Sequence, residues 1–139
     1  MNTATTKKIP PPDEFTANFK SADFSGTIKF RHMSETEISF FAPSSVKGLR
    51  FTILNGKTTI KYSDMLFESD GGEITQTSFG NAVVNAISDL IVNNETVEAT
   101  EENGFIKRTG KDYIICQNKE SGAIAEVNCK NYSIRFIQK

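Results

Sequence analysis

The 139-residue sequence contains no tryptophan, one histidine, two cysteines and four prolines. One histidine and two separated cysteines do not supply the converging ligands of a zinc site, so we expect no metal. His32 is the sole possible centre of a histidine-based catalytic site, and its place at the end of a predicted strand is typical of a surface residue. The glycines form neither a phosphate-binding loop nor a dinucleotide-binding pattern. We therefore predict no catalytic residue, no enzyme activity and no cofactor.

Neither sign of charge is in excess, since 16 basic residues face 17 acidic ones and the lysines are scattered. The basic patch that indicates a nucleic-acid partner is missing, so we expect none. No apolar run approaches the roughly 18 residues that a membrane-spanning helix needs. The length fits one domain, and 11 phenylalanines offer it a large apolar area to bury.

The first fourteen residues are polar and end in three prolines followed by Asp13. This composition predicts a flexible, solvated leader over residues 1–14 and a single domain over residues 15–139. Two interpretations of the start remain open. Either Met1 is the native start and the protein is cytoplasmic, or a secretion signal was removed and the leader tethers an extracytoplasmic domain. The tether-like composition favours the second interpretation.

The two cysteines, Cys116 and Cys129, fall on adjacent predicted strands, with Cys116 opposite a residue near Ile124. At about 3.4 Å per residue this register leaves them too far apart for a disulfide, which needs Cα atoms within about 7 Å. We expect two free, half-buried thiols, which do not identify the redox compartment. A bulge or a different register would reopen the question of a disulfide.

Alternation of apolar and polar residues predicts strands on both sides of one helical segment. Asn55-Gly56 is typical of a hairpin turn between two of them. The predicted strands cover residues 24–31, 35–41, 49–53, 57–62, 65–68, 96–100, 104–109, 112–117, 123–129 and 132–137.

Apolar residues recur at three- and four-residue steps from Phe79 to Ile91, which predicts an amphipathic helix. Ser78 suits its N-cap, and Asn93-Asn94 suits its end. Strands, one helix and strands with short connections indicate an α+β fold. We expect a curved, mostly antiparallel sheet, an open half-barrel, wrapped around the helix.

Part of the chain shows a spaced pattern of motifs: Phe24-Ser25-Gly26-Thr27-Ile28, then Pro43-Ser44-Ser45-Val46-Lys47-Gly48-Leu49, then Asn55-Gly56-Lys57 and Ile60-Lys61-Tyr62. This pattern resembles the lipoprotein-carrier (Lol-type) superfamily, whose members include small exported bacterial lipoprotein domains. The resemblance covers residues 22–91. It departs from the carriers in lacking their long N-terminal helix. It also has no assignable counterpart of their arginine inside the cavity, because Arg31 and Arg50 are expected on outer faces.

The resemblance implies a non-enzymatic, secreted or periplasmic domain of the cell envelope, held at the membrane only through a removed N-terminal anchor. It also implies an open barrel with lipid binding, so that an apolar small molecule or acyl chain lies between sheet and helix. The alternative is a protein- or cell-wall-interaction module with a fully packed core. The candidate lining residues are Ile28, Phe30, Ile38, Phe40, Leu49, Phe51, Ile60, Tyr62, Phe79, Val83, Ile87 and Leu90.

Overall fold

The computed structural model describes residues 8–22, 24–42, 44, 47–54, 57–62, 65–69, 75–129 and 132–138. These residues form eleven strands and one helix. The strands are β1 (Glu14–Ser21), β2 (Ser25–Arg31), β3 (Thr36–Ala42), β4 (Arg50–Leu54), β5 (Lys57–Tyr62), β6 (Met65–Ser69), β7 (Glu98–Glu102), β8 (Phe105–Thr109), β9 (Tyr113–Asn118), β10 (Ile124–Cys129) and β11 (Tyr132–Gln138). The helix, α1, is Thr75–Val92.

The eleven strands form one antiparallel sheet in the order β6-β5-β4-β3-β2-β1-β11-β10-β9-β8-β7. Two meanders, β1 to β6 and β7 to β11, are joined by the pairing of β1 with β11, where Phe19 lies opposite Phe136. β6 and β7 are the edges of this sheet, and they are not paired with each other in the described residues. Helix α1 follows β6 and precedes β7 in the chain. The predicted α+β class and the open antiparallel sheet are therefore confirmed.

The predicted strands are present close to their expected bounds, but sequence analysis missed β1. In β1 the apolar residues Phe15, Ala17 and Phe19 alternate with polar ones, and Ala17 and Phe19 are buried. The alternation typical of a strand was therefore present directly after the prolines.

Helix α1 begins at Thr75, before the first apolar residue of its periodic pattern. Ser78 consequently lies within the first turn, and its prediction as the N-cap is wrong. The reason is that a helix can extend into polar residues that carry no periodic signal. The predicted end is confirmed, since α1 stops at Val92 and the Asn93 amide donates to the Asp89 carbonyl at 2.9 Å.

Cys116 and Cys129 are both free and half-buried, as predicted. The register of their strands differs from the prediction, because an irregularity between Ile124 and Glu126 shifts the pairing. Cys116 lies opposite Glu126 rather than opposite a residue near Ile124.

Two sequence motifs fall partly or wholly outside the described residues. These are the hairpin turn at Asn55-Gly56 and the middle of the element from Pro43 to Leu49. The strands on either side of Asn55-Gly56 are described, and β4 pairs with β5 antiparallel, with Leu54 opposite Lys57.

The hydrophobic core lies between α1 and the inner face of the sheet. Helix α1 contacts β4 in the first meander and β9 and β10 in the second. Its buried side chains are Phe79, Val83, Ala86, Ile87 and Leu90, which follow the predicted apolar face. In the part of the chain that the structure describes, no helix is both long and apolar enough to cross a membrane.

Candidate functional site

The structure brings most of the predicted lining residues into one hydrophobic cluster between α1 and the sheet. Leu49 packs against the cluster while partly buried, and Tyr62 lies in β5 with its side chain outside the described part of the structure. This grouping is observed, whereas the role of these residues in holding a ligand stays a prediction. The clustered residues, each at most 4% exposed, are Ile28, Phe30, Ile38, Phe40, Phe51, Ile60, Phe79, Val83, Ile87 and Leu90.

Phe79 of α1 is the centre of an aromatic group inside this cluster. Its ring centroid lies 5.2 Å from Phe24, 5.4 Å from Phe19 and 5.4 Å from Tyr132. The Phe40 centroid is 6.1 Å away. Edge-to-face and tilted rings at these distances attract one another beyond the burial of their area. The prediction missed Phe19, Phe24 and Tyr132, because β1 was not recognised and Phe24 and Tyr132 stand at strand ends.

Gly80 allows α1 to lie close to the sheet. A Cβ atom at this position would be 2.8 Å from Ile53 Cδ1 and 3.2 Å from Ile38 Cδ1. Helix and sheet are therefore in close contact at Gly80, in the second turn of α1.

Arg108, on the inner face of β8, is fully buried and was not recognised in the sequence. Its guanidinium donates to Asn94 Oδ1 at 2.8 Å, to Gln117 Oε1 at 3.0 Å and to the Val97 carbonyl at 3.2 Å. Burial lowers its pKa from the ordinary value. Only Arg31 and Arg50 were expected on outer faces, and no arginine was assigned to the interior, whereas Arg108 lies there. Its one sequence signal is that it shares a strand face with Ile106.

Residues 8–13, here called the N-terminal segment, lie against this buried arginine. The Ile9 carbonyl accepts hydrogen bonds from Gln117 Nε2 at 2.8 Å and from Arg108 Nη1 at 3.3 Å. Lys8 Nζ donates to the Glu95 carbonyl at 2.6 Å, and Pro11 is buried. Composition predicts a solvated segment, whereas Lys8 and Ile9 bond to the rest of the domain. A proline-rich segment can do this because its carbonyl oxygens are still able to accept hydrogen bonds from buried donors.

Tyr113 of β9 connects the sheet to the last turns of α1. Its hydroxyl donates to Asp89 Oδ2 at 2.7 Å. Burial, together with this bond to a carboxylate, raises the pKa of the Tyr113 hydroxyl above its usual range. This bond and the hydrogen bond from Arg108 to Asn94 both fix the end of α1 against the second meander.

A groove of about 200 Å³, here called the end groove, opens between α1, the end of β4 and the β2–β3 turn. His32 lines this groove, and the Nδ1 atom of its side chain is buried and has no hydrogen-bond partner in the described residues. Met33 at its rim is 87% exposed and has a φ of 60°, which residues other than glycine rarely adopt. The lining residues are Arg31, His32, Met33, Ser34, Ile53, Leu54, Val84, Asn85 and Ser88.

Within the described ranges, no group of three or more histidine, cysteine, aspartate or glutamate side chains is placed to hold a metal ion. No protein-family model matches the chain, and no curated protein matches it either.

Proposed function

We propose that this protein is a non-enzymatic, exported lipoprotein domain of Lol-type form that holds an apolar ligand between a curved sheet and α1. The carrying observation is the apolar cluster that α1 forms with both meanders of an open sheet. The motif pattern in residues 22–91 supports the envelope location, with membrane contact through a removed N-terminal anchor.

The aromatic group supports curvature of the sheet around α1. Phe79 contacts Phe40 of β3 and Tyr132 of β11, with centroid distances of 6.1 and 5.4 Å. β2 and β1 stand between those strands, which places them about 14 Å apart in a flat sheet with a spacing near 4.8 Å. The distance from Phe40 to Phe79 and the distance from Phe79 to Tyr132 add up to less than this separation of β3 and β11. Inner side chains converge in this way on the concave face of a curved sheet.

The chemistry of the cluster suits a hydrocarbon. Its members are aliphatic and aromatic side chains, so an acyl chain loses no hydrogen bond on entering. The cluster is filled by its own side chains, and a ligand therefore takes the place of contacts between α1 and the sheet. Because α1 connects the two unpaired edges β6 and β7, it can move away from the sheet without breaking a strand pair.

Mass spectrometry of natively purified protein, before and after organic extraction, tests this proposal together with titration of a fluorescent fatty acid. We expect either a co-purified apolar molecule or saturable binding by the extracted protein. The outer-face variant Ile137→Ser is the matched control, because Ile137 is 66% exposed and lies outside the cluster. A protein without bound molecules that also fails to bind the fatty acid contradicts the proposal.

The alternative is a protein- or cell-wall-interaction module with a packed core. The filled cluster favours it, and so do large apolar side chains exposed on the outer face, among them Phe105 at 42% and Ile137 at 66%. Binding to isolated cell wall or to an envelope protein that is lost in Phe105→Ser, combined with no fatty-acid binding, supports this alternative.

A further inference from the structure

We infer that the end groove is the head-group subsite of the proposed ligand site and that the ligand is a hydrocarbon chain ending in a carboxylate. This inference rests on the proposed function. It adds the chemical class of the ligand and the place where its polar end lies.

The floor of the end groove is continuous with the hydrophobic cluster. Ile53 lines the groove, is 2% exposed and belongs to the cluster. Val84 lines the groove from the helix and packs against the same cluster. A chain whose polar end occupies the groove can therefore continue directly into the apolar interior.

The walls of the end groove carry polar side chains without partners. In the part of the chain that the structure describes, the side chains of Arg31, Ser34, Asn85 and Ser88 make no hydrogen bond or ion pair. His32 Nδ1 is buried and unpaired, although the backbone amide of the same residue donates to the Asp13 carbonyl at 2.8 Å. Buried polar atoms normally have a partner, so the unpaired Nδ1 atom is unusual in a folded protein.

A carboxylate is the partner that fits these groups. The Arg31 guanidinium presents a planar set of donors that matches the two oxygens of a carboxylate. The ring of His32, which lines the groove, can donate a further hydrogen bond. Glu14 lies opposite Arg31 on β1 but forms no ion pair with it among the described residues. Glu35, in the same turn region, is exposed to solvent. The charge of Arg31 is therefore available to a ligand.

Two apolar side chains, Met33 and Leu54, are among the residues at the rim of the groove. The side chain of Met33 is exposed, and its backbone has a positive φ, a conformation that costs free energy for a residue other than glycine. Leu54 lies on the other side and is 39% exposed. Apolar side chains at the entrance make the path from solvent to the cluster favourable for a hydrocarbon chain.

The test compares dodecanoate with dodecanol, which have the same chain length and different polar ends, by isothermal titration calorimetry. Wild-type protein is compared with Arg31→Gln, with His32→Ala and with the matched control Arg50→Gln on the outer face of β4. We expect wild type to prefer dodecanoate. Both groove variants should weaken dodecanoate binding about tenfold, the effect of one lost charge-assisted hydrogen bond, and leave dodecanol binding unchanged. Arg50→Gln should match wild type.

The outcomes separate this inference from the function on which it rests. Equal affinity of wild type for the two ligands overturns the head-group assignment and leaves the proposed function intact. An equal loss of both ligands in the groove variants also overturns the assignment, because it shows an effect on the fold rather than on the carboxylate. No binding of either ligand by wild type contradicts the proposed function itself.

Discussion

Arg108 is a charged residue in a fully buried environment. A cation removed from water needs hydrogen-bond acceptors arranged around it, because an unpaired buried charge is strongly unfavourable. Here the acceptors are carbonyl and amide oxygens from separate parts of the chain, Ile9, Asn94, Val97 and Gln117. Strand periodicity places Arg108 on the inner face with Ile106. It does not reveal that acceptors distant in sequence meet there, so the hydrogen bonds around Arg108 could not be predicted from the sequence.

We expect Arg108→Met to lower the free energy of unfolding by about 3 kcal/mol, because several buried acceptors lose their donor at once. Urea unfolding followed by circular dichroism measures the change. Arg135→Met is the matched control, since the Arg135 side chain is 81% exposed, and it should change stability by less than about 0.5 kcal/mol. Equal effects of the two substitutions would contradict a structural role for the buried hydrogen bonds.

Whole elements were predictable where a period repeats and side chains face two different environments. The apolar face of α1 was recognised because Val83, Ile87 and Leu90 return at helical spacing and all contact the core. The start of α1 was not recognised, because polar residues carry no such period. The end groove was missed for a related reason. Asn85 and Ser88 stand on the polar side of the helical pattern, where a solvated face and a polar binding wall look the same in sequence.

The contact between α1 and β4 gives a prediction at the scale of elements. We expect Gly80→Ala to destabilise the fold by about 1–2 kcal/mol, because the crowding of Ile53 Cδ1 outweighs the gain in helix propensity. Ile53→Val removes that atom. The double variant Gly80→Ala with Ile53→Val should therefore be more stable than the sum of the single effects by about 1 kcal/mol. Thermal unfolding of all four proteins measures the coupling.

The control for this coupling is Ile134→Val, which shortens a core isoleucine on β11 instead of β4. Its effect should simply add to that of Gly80→Ala. The same coupling with both valine substitutions would show that Gly80→Ala acts through the core in general and not through its contact with Ile53.

For the molecule as a whole, alternation and short connections sufficed to predict an α+β fold with an antiparallel sheet. They did not predict that the first and last strands pair. That pairing brings together residues from nearly opposite ends of the chain, such as Phe19 and Phe136, and no local pattern encodes it. The ten clustered lining residues were predictable as a group, since strand and helix periods alone assign them to the inner faces. The Lol-type resemblance and the ligand stay predictions.

The N-terminal segment gives a prediction about how the two meanders are held together. It leads into β1 in the first meander, while its Ile9 carbonyl binds Arg108 and Gln117 in the second. Its position also depends on Gly122, where a Cβ atom would come within 2.7 Å of Ile9 Cγ2. A chain that lacks residues 1–11 should therefore lose about 2 kcal/mol of stability, because buried donors lose their acceptor and the buried Pro11 is removed.

The matched control is a chain that lacks only residues 1–7, because it keeps every described contact of the N-terminal segment. Chemical denaturation measures the stability of both, and hydrogen exchange measures the local effect. In the shorter chain, amides of residues 93–97 should exchange faster than in the control. The reason is that the Asn94 side chain donates to the Lys8 carbonyl and the Glu95 carbonyl accepts from Lys8 Nζ, and the shorter chain lacks both bonds. Equal stability and equal exchange in the two chains would show that the contacts of the segment do not stabilise the domain. The prediction of a solvated leader from composition would then agree with the energetics.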